Sequence, residues 1–352
     1  MRILFVAPAY FNLQKPIEQE LIRQGHSVTY INDVVIKKRT YATKNNYICE
    51  LINLIKRIYY KVYDILFPNS IWREEIKNGK LNQVFDFLFV INGYTFQPTF
   101  IRHLRKYNSN IRSCFYAWDT QRYYNYFRLL KFFDKKYTFD YIDASTSNIK
   151  FLPFYWCNKY KKNSNIKYVL SIVGSNHDGR YTIVRKIADI LDTKGLAYYF
   201  RVVEARDSNN KEDQMVWDNL YRVYKEKENR FGMDEIDIIY RRIKDSIITY
   251  DLIPQEEVYD IISQSQCLLD TDRESQTGTT PRIIWALAQK KKIISTNKNL
   301  IKMPFYNKDI ISIIDRRNPV IDFDFINREI PDSFFPSVEY LRIDNWVKEI
   351  IS

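Results

Sequence analysis

Glycine is scarce, with eight residues in 352, and no GxGxxG follows the first apolar run. That absence excludes the dinucleotide fingerprint of a Rossmann oxidoreductase. The four cysteines (Cys49, Cys114, Cys157 and Cys267) lie far apart, with no CxxC pair and no histidine at metal-ligand spacing. Neither a disulfide framework nor a metal centre is therefore expected, and a reducing cytoplasm fits. No apolar stretch reaches the ~20 residues that a membrane-spanning helix needs. The opening MRILFVAPAYF carries one charge and soon turns polar, so it reads as a first β-strand and not as a signal peptide. Helix-turn-helix, RNA-binding aromatic and zinc-knuckle signatures are all missing, and the basic residues are scattered, which argues against nucleic acid as a partner.

What is present is aromatic and basic. The chain holds 28 Tyr and 22 Phe, and its 54 Lys and Arg against 42 Asp and Glu leave a net charge of +12. Such a surplus favours an anionic partner, whether nucleic acid, an anionic membrane surface or phosphorylated small molecules, and by itself does not choose among them. The length exceeds that of a typical single domain and predicts two.

Short apolar strands alternate with helix-length amphipathic segments. In the first half, strands are expected at Arg2–Pro8, Ser27–Asn32, Phe85–Asn92, Arg112–Trp118 and Thr138–Ala144. Helices are expected at Pro16–Gln24, Pro98–Tyr107 and Gln121–Phe133. The second half restarts the pattern with strands at Lys167–Val173, Tyr198–Val203, Ser246–Tyr250, Gln266–Leu269, Lys292–Ser295 and Ile310–Ile314, with a helix at Arg282–Gln289. Alternation of this kind predicts α/β architecture with parallel sheets joined by right-handed crossovers. The polar, basic stretch Cys157–Ser164 marks the seam. It gives a first domain over 1–160, a second over 161–330, and a terminal segment 331–352 whose helix, about Ile343–Ile350, is expected to cross back to the first domain.

Two stretches carry a family resemblance. The opening RILFVAP, followed by PIEQELIRQGHSVTYIND, resembles the first strand, helix, Gly-His turn and second strand of GT-B glycosyltransferases, with His26 as a turn residue. The segment Ile253–Asn297 resembles the donor-binding core of family-4-like glycosyltransferases. Its Trp285-Ala286-Leu287-Ala288 and Lys292–Asn297 follow the family pattern, and Gly278 stands where the loop glycine belongs. The TGTTPR loop is similar to that of spore-maturation and capsule or lipopolysaccharide transferases. The resemblance implies a GT-B fold, two doubly wound Rossmann-like domains facing a cleft. It also implies transfer of a sugar from a UDP- or GDP-linked donor to a glycan or lipid-linked glycan, with no cofactor. The family's paired glutamates would fall at Thr277 and Trp285, so neither carboxylate is present. Glu274 is the nearest substitute.

The chemistry asked of such a chain is to hold a diphosphate while its leaving charge develops. A helix N-terminus and one or two basic side chains do this without metal. Gly278, Thr279 and Thr280 before Pro281 supply close backbone approach, hydroxyls and a helix start, and Arg282 supplies a forked donor; alternatively, Thr279 or Thr280 is only an N-cap. Gly174, Ser175 and Arg180 follow the first strand of the second half, where the switch-point rule collects ligands. Arg201 is either a phosphate-binding base or a strand residue paired with Glu204. Tyr250 is placed to stack on the base of the nucleotide. In the first half, Asp119 ends a strand and is read either as the general base for an acceptor hydroxyl or as the N-cap of the following helix. Tyr10, Asn12 and Tyr94 occupy neighbouring strand-end loops and are candidates for the acceptor pocket.

An apolar stripe from Ile48 to Leu66, with Lys56, Arg57 and Lys61 off it, predicts a basic amphipathic helix. It suits an anionic membrane surface or burial against its own sheet. Competing readings are a degenerate fold that binds without turnover, a sugar-nucleotide epimerase or phosphorylase on the same fold, and a basic scaffold or nucleic-acid-binding protein.

Overall fold

A computed structural model describes residues 1–9, 12–33, 81, 83–96, 98–157, 165–176, 178–203, 245–249, 251–273 and 277–352, with backbone alone at 98, 99, 102 and 103. The expected amphipathic helix at Ile48–Leu66, Tyr10, Tyr250 and Glu274 lie outside the described residues. Among those described, no helix is long and apolar enough to cross a membrane.

The chain divides into two units, Met1–Leu152 with Ile343–Ser352, and Pro153–Arg342. In the first, Arg2–Ala7 (β1) is buried at five of its six positions and Phe87–Ile91 (β3) at all five. Runs that are apolar on both faces belong to a sheet covered on both sides. With Ser27–Asn32 (β2), Arg112–Ala117 (β4), Lys135–Thr138 (β5) and Lys150–Phe151 (β6), they form a sheet of order β2-β1-β3-β4-β5-β6. Every pairing in it is parallel. Helix α1 (Gln14–Arg23) ends at Gly25, whose φ of +84° closes the turn into β2. Helix α2 (Pro98–Tyr107) follows β3.

Two elements of this unit differ from expectation. The predicted helix Gln121–Phe133 is a series of turns with one short helix, α3 (Phe127–Leu130). Side chains tie that stretch down instead: the Tyr124 hydroxyl donates to the Gly93 carbonyl at 2.7 Å, and the Gln121 amide to Asp143 at 2.7 Å. The predicted strand Thr138–Ala144 ends at Thr138. Asp140 then accepts from the amides of Ile142 and Asp143, at 2.9 and 3.0 Å, and starts helix α4 (Tyr141–Thr146).

The second unit contains β7 (Tyr168–Ser175), α5 (Arg180–Thr193), β8 (Tyr198–Val203), β9 (Ile248–Thr249), α6 (Gln255–Ser263), β10 (Ser265–Asp270), α7 (Pro281–Ala288), β11 (Lys292–Ser295), β12 (Ile311–Ile313) and α8 (Phe323–Asn327). Its sheet has the order β12-β11-β10-β7-β8-β9, again wholly parallel. The basic turn before β11 is structural. The Lys291 ammonium donates to the Ser263 carbonyl at the end of α6, at 2.7 Å. The buried Lys292 ammonium donates to the carbonyls of Phe325, Ile326 and Arg328 at the end of α8, at 2.7, 2.5 and 2.6 Å. Each cation meets the unsatisfied carbonyls of a helix C-terminus.

The last helix, α9 (Ile343–Ile351), belongs to the first unit. Trp346 is fully buried, 4.9 Å from the Tyr116 ring and 6.2 Å from that of Phe89, and the Tyr137 hydroxyl donates to Glu349 at 2.7 Å. The segment 331–342 stays with the second unit, where the Trp156 indole donates to the Val338 carbonyl at 2.8 Å. The border falls at Leu152–Pro153, ahead of the polar seam that composition suggested.

Candidate functional site

In each sheet the chain leaves a first strand in one direction and later returns to its other side. This opens a crevice at the carboxyl ends of β1 and β3 in one unit, and of β7 and β10 in the other. Ligands of doubly wound sheets bind at such switch points.

The crevice of the second unit is cationic. Gly174 is near the end of β7, and a Cβ added there would lie 2.9 Å from Nη1 of Arg180 and 2.9 Å from Nη1 of Arg282. Two guanidinium groups therefore meet over its bare Cα. Their surroundings differ. Arg180, 4% exposed, donates from Nε to the Thr271 hydroxyl at 2.6 Å, from Nη2 to the Thr271 carbonyl at 2.7 Å, and from Nη1 to the Ser175 carbonyl. Burial, with Arg282 adding to it, pulls Arg180 down to about 9. Arg282, in the first turn of α7, donates from Nη2 to Asp270 at 2.8 Å, while its Nε is buried with no hydrogen-bond partner. Arg316, after β12, donates to the carbonyls of Asp178 (2.8 Å) and Asp272 and forms an ion pair with the Asp272 carboxylate at 3.5 Å. It thereby joins the loops that follow β7 and β10. Burial raises the Asp272 carboxyl, which also accepts from the Thr296 hydroxyl at 2.5 Å.

The TGTTP loop completes the crevice. Thr280 stands at the N-cap position of α7, but its hydroxyl donates to Asp270 at 2.7 Å and caps nothing. The Thr279 hydroxyl is buried without a partner, and the Gly278 carbonyl accepts from Asn297 at 3.1 Å. Gly174, Ser175, Arg180, Thr280 and Arg282 are thus brought together, with Gly278 and Thr279 on the adjoining loop. Arg201 is not among them. It pairs in register with Val173, lies 4.8 Å over the Tyr199 ring and donates to the Phe200 carbonyl at 2.8 Å.

In the first unit, Asp119 follows β4 and accepts from Asn92 Nδ2 at 2.8 Å and from the Tyr94 hydroxyl. It caps no helix, since turns follow it. Asn92 adopts a left-handed φ of 58°, and its carbonyl oxygen Oδ1 accepts from the Trp118 amide at 2.6 Å, which fixes the strand ends against each other. Asp33, fully buried at the end of β2, accepts from the amides of Tyr94 and Thr95 at 2.5 and 3.0 Å and from the Thr95 hydroxyl at 2.5 Å. Burial pushes its carboxyl up to about 6. Tyr94 packs edge-on to Tyr124 at 4.8 Å. Asn12, in the loop after β1, has a φ of 56° and is exposed.

Sequence reasoning passed over Asp33, Asn92, Asp270 and Arg316. The only sequence signal for three of them is position: Asp33, Asn92 and Asp270 each end an apolar strand run, at the rim where doubly wound sheets bind.

No protein-family model matches the chain, and no curated relative matches it in sequence. Solved structures align along almost its full length. A UDP-forming trehalose-phosphate synthase from Burkholderia vietnamiensis is 11% identical with a TM-score of 0.46, over 100% of this chain and 97% of that one. MurG from Acinetobacter baumannii is 9% identical with a TM-score of 0.44, over 99% and 94%. HepE from Anabaena, solved with UDP-glucose, is 9% identical with a TM-score of 0.44, over 100% and 96%. The likeness is one of fold.

Proposed function

We propose that the chain is a metal-independent glycosyltransferase that takes a UDP- or GDP-linked sugar and passes it to a surface-polysaccharide or lipopolysaccharide acceptor. The carrying observation is the Arg282 guanidinium over Gly174, at the switch point and in the first turn of a helix. A leaving diphosphate needs fixed positive charge where its own charge develops, and a helix start with a guanidinium beside it supplies both. In the reaction, an acceptor hydroxyl oxygen attacks the anomeric carbon, the bond from that carbon to the phosphate oxygen breaks, and the diphosphate leaves as the anion. Asp119 is the base that takes the hydroxyl proton, and attack of this kind inverts the anomeric configuration. Asn12 and Tyr94 border the acceptor. The net charge of +12 suits work at the inner face of a membrane carrying anionic lipid.

A second reading, nucleotide binding without turnover, is favoured by one position. Trp285 stands where the family carries a glutamate, yet it packs 4.9 Å from the Tyr259 ring and donates to the Tyr155 carbonyl at 3.0 Å, as a core residue does.

The test is a thermal-shift panel of UDP, GDP, CMP, ADP and dTDP without added metal. A ligand that binds only the folded state at a hundredfold excess over its Kd adds about 2.7 kcal/mol of stability. Selective stabilisation by one nucleotide, absent in Arg282→Ala, is the expected result. No shift with any of the five discards both readings, and binding with no sugar released from the matching donor leaves the second.

A further inference from the structure

A carboxylate on the wall of an anion site is out of place by charge alone. Asp270 is fully buried, and Thr280 Oγ1 and Arg282 Nη2 both donate to its Oδ1, at 2.7 and 2.8 Å, while Oδ2 has no hydrogen-bond partner. Were charge the whole of its effect, removing it would strengthen attraction for an anion.

The geometry gives it another task. Two guanidinium groups meet over Gly174 and repel each other. Arg180 is tied in place by three hydrogen bonds to Thr271 and Ser175. Arg282 has the Asp270 contact alone among the described residues, and its Nε remains buried and unmatched. A buried donor left unmet costs about 1–3 kcal/mol, so the arrangement is complete only when an acceptor arrives.

We infer that Asp270 is a positioning residue, which holds the Arg282 guanidinium over Gly174 against Arg180 so that it meets the oxygens of a bound diphosphate. The inference rests on the donor-site reading above. Arg180, with each of its three nitrogens already donating to the protein, contributes mainly charge to the site while Arg282 contributes the hydrogen bonds.

The experiment is calorimetric titration of the full chain with inorganic pyrophosphate. Asp270→Ala is expected to weaken binding about tenfold, although it removes a negative charge. Asp270→Asn, whose side-chain oxygen still accepts from Arg282, is expected to stay within about threefold of wild type. In an Arg282→Ala background, Asp270→Ala is expected to change nothing further. If Asp270→Ala binds pyrophosphate as tightly as wild type, or more tightly, the positioning role is overturned while the anion site stands. Wild-type protein that takes up no pyrophosphate overturns the anion site and this role together. Should Asp270→Ala not fold, Thr280→Val removes only one bond that orients the carboxylate. About threefold weakening then supports the role, and unchanged affinity refutes it.

Discussion

Gly174 shows how much a single residue decides. Its φ lies outside the left-handed region, so glycine is required here by space and not by backbone conformation. A methyl group would sit 2.9 Å from both guanidinium groups and would push Arg282, the less tethered of the two, out of place. Gly174→Ala is therefore expected to lower nucleotide affinity by tenfold or more, about 1.4 kcal/mol, while leaving the melting temperature nearly unchanged. Parallel calorimetry and thermal melts of the variant check both halves of that statement. The glycine and Arg282 were legible in the sequence because strand ends and helix starts leave local marks. The Asp270 contact was not, since a carboxylate closing the run Cys267-Leu268-Leu269 reads as the polar end of a strand, and its partner stands twelve residues on. Arg201 is open to two readings for the opposite reason: an arginine in a strand carries no mark of where its side chain turns, and here it turns back over Tyr199.

At the scale of elements, periodicity located the buried strands well, because a parallel strand covered on both faces is apolar throughout. It failed where side-chain bonds override local propensity, as at Gln121–Phe133, where Tyr124 and Asp143 hold turns in place of a helix. Lys292 opens the run Lys292–Asn297 that resembles the family pattern, and the structure gives it and the preceding Lys291 a physical cause in the helix ends they cap. Helix α9 carries the clearest energetic prediction. Trp346, fully buried against Phe89 and Tyr116, leaves a large cavity when truncated. Trp346→Ala is expected to cost about 3–5 kcal/mol in urea-induced unfolding. A cost below 1 kcal/mol would show that α9 is not integral to the first core.

For the molecule as a whole, the unequal composition of the two units is testable by dissection. The second unit is continuous from Pro153 to Arg342 and holds its own core of Leu170, Ile172, Val184, Ile187, Phe200 and Leu269. The first is discontinuous and draws on Ile343–Ser352. A fragment spanning 153–342 is expected to melt cooperatively by circular dichroism. A fragment spanning 1–152 is expected not to, until a peptide of residues 343–352 is added. Cooperative melting of 1–152 alone would refute this dependence.

That discontinuity sets an order on folding during synthesis. The ribosome delivers the first unit's six strands early, but the indole that fills the space beside Phe89 and Tyr116 emerges only after 190 residues of the other unit have been made. The half of the protein that is translated first is thus the half whose core closes last. During that interval an apolar surface around Phe89 and Tyr116 awaits its cover, a window in which a chaperone has something to hold.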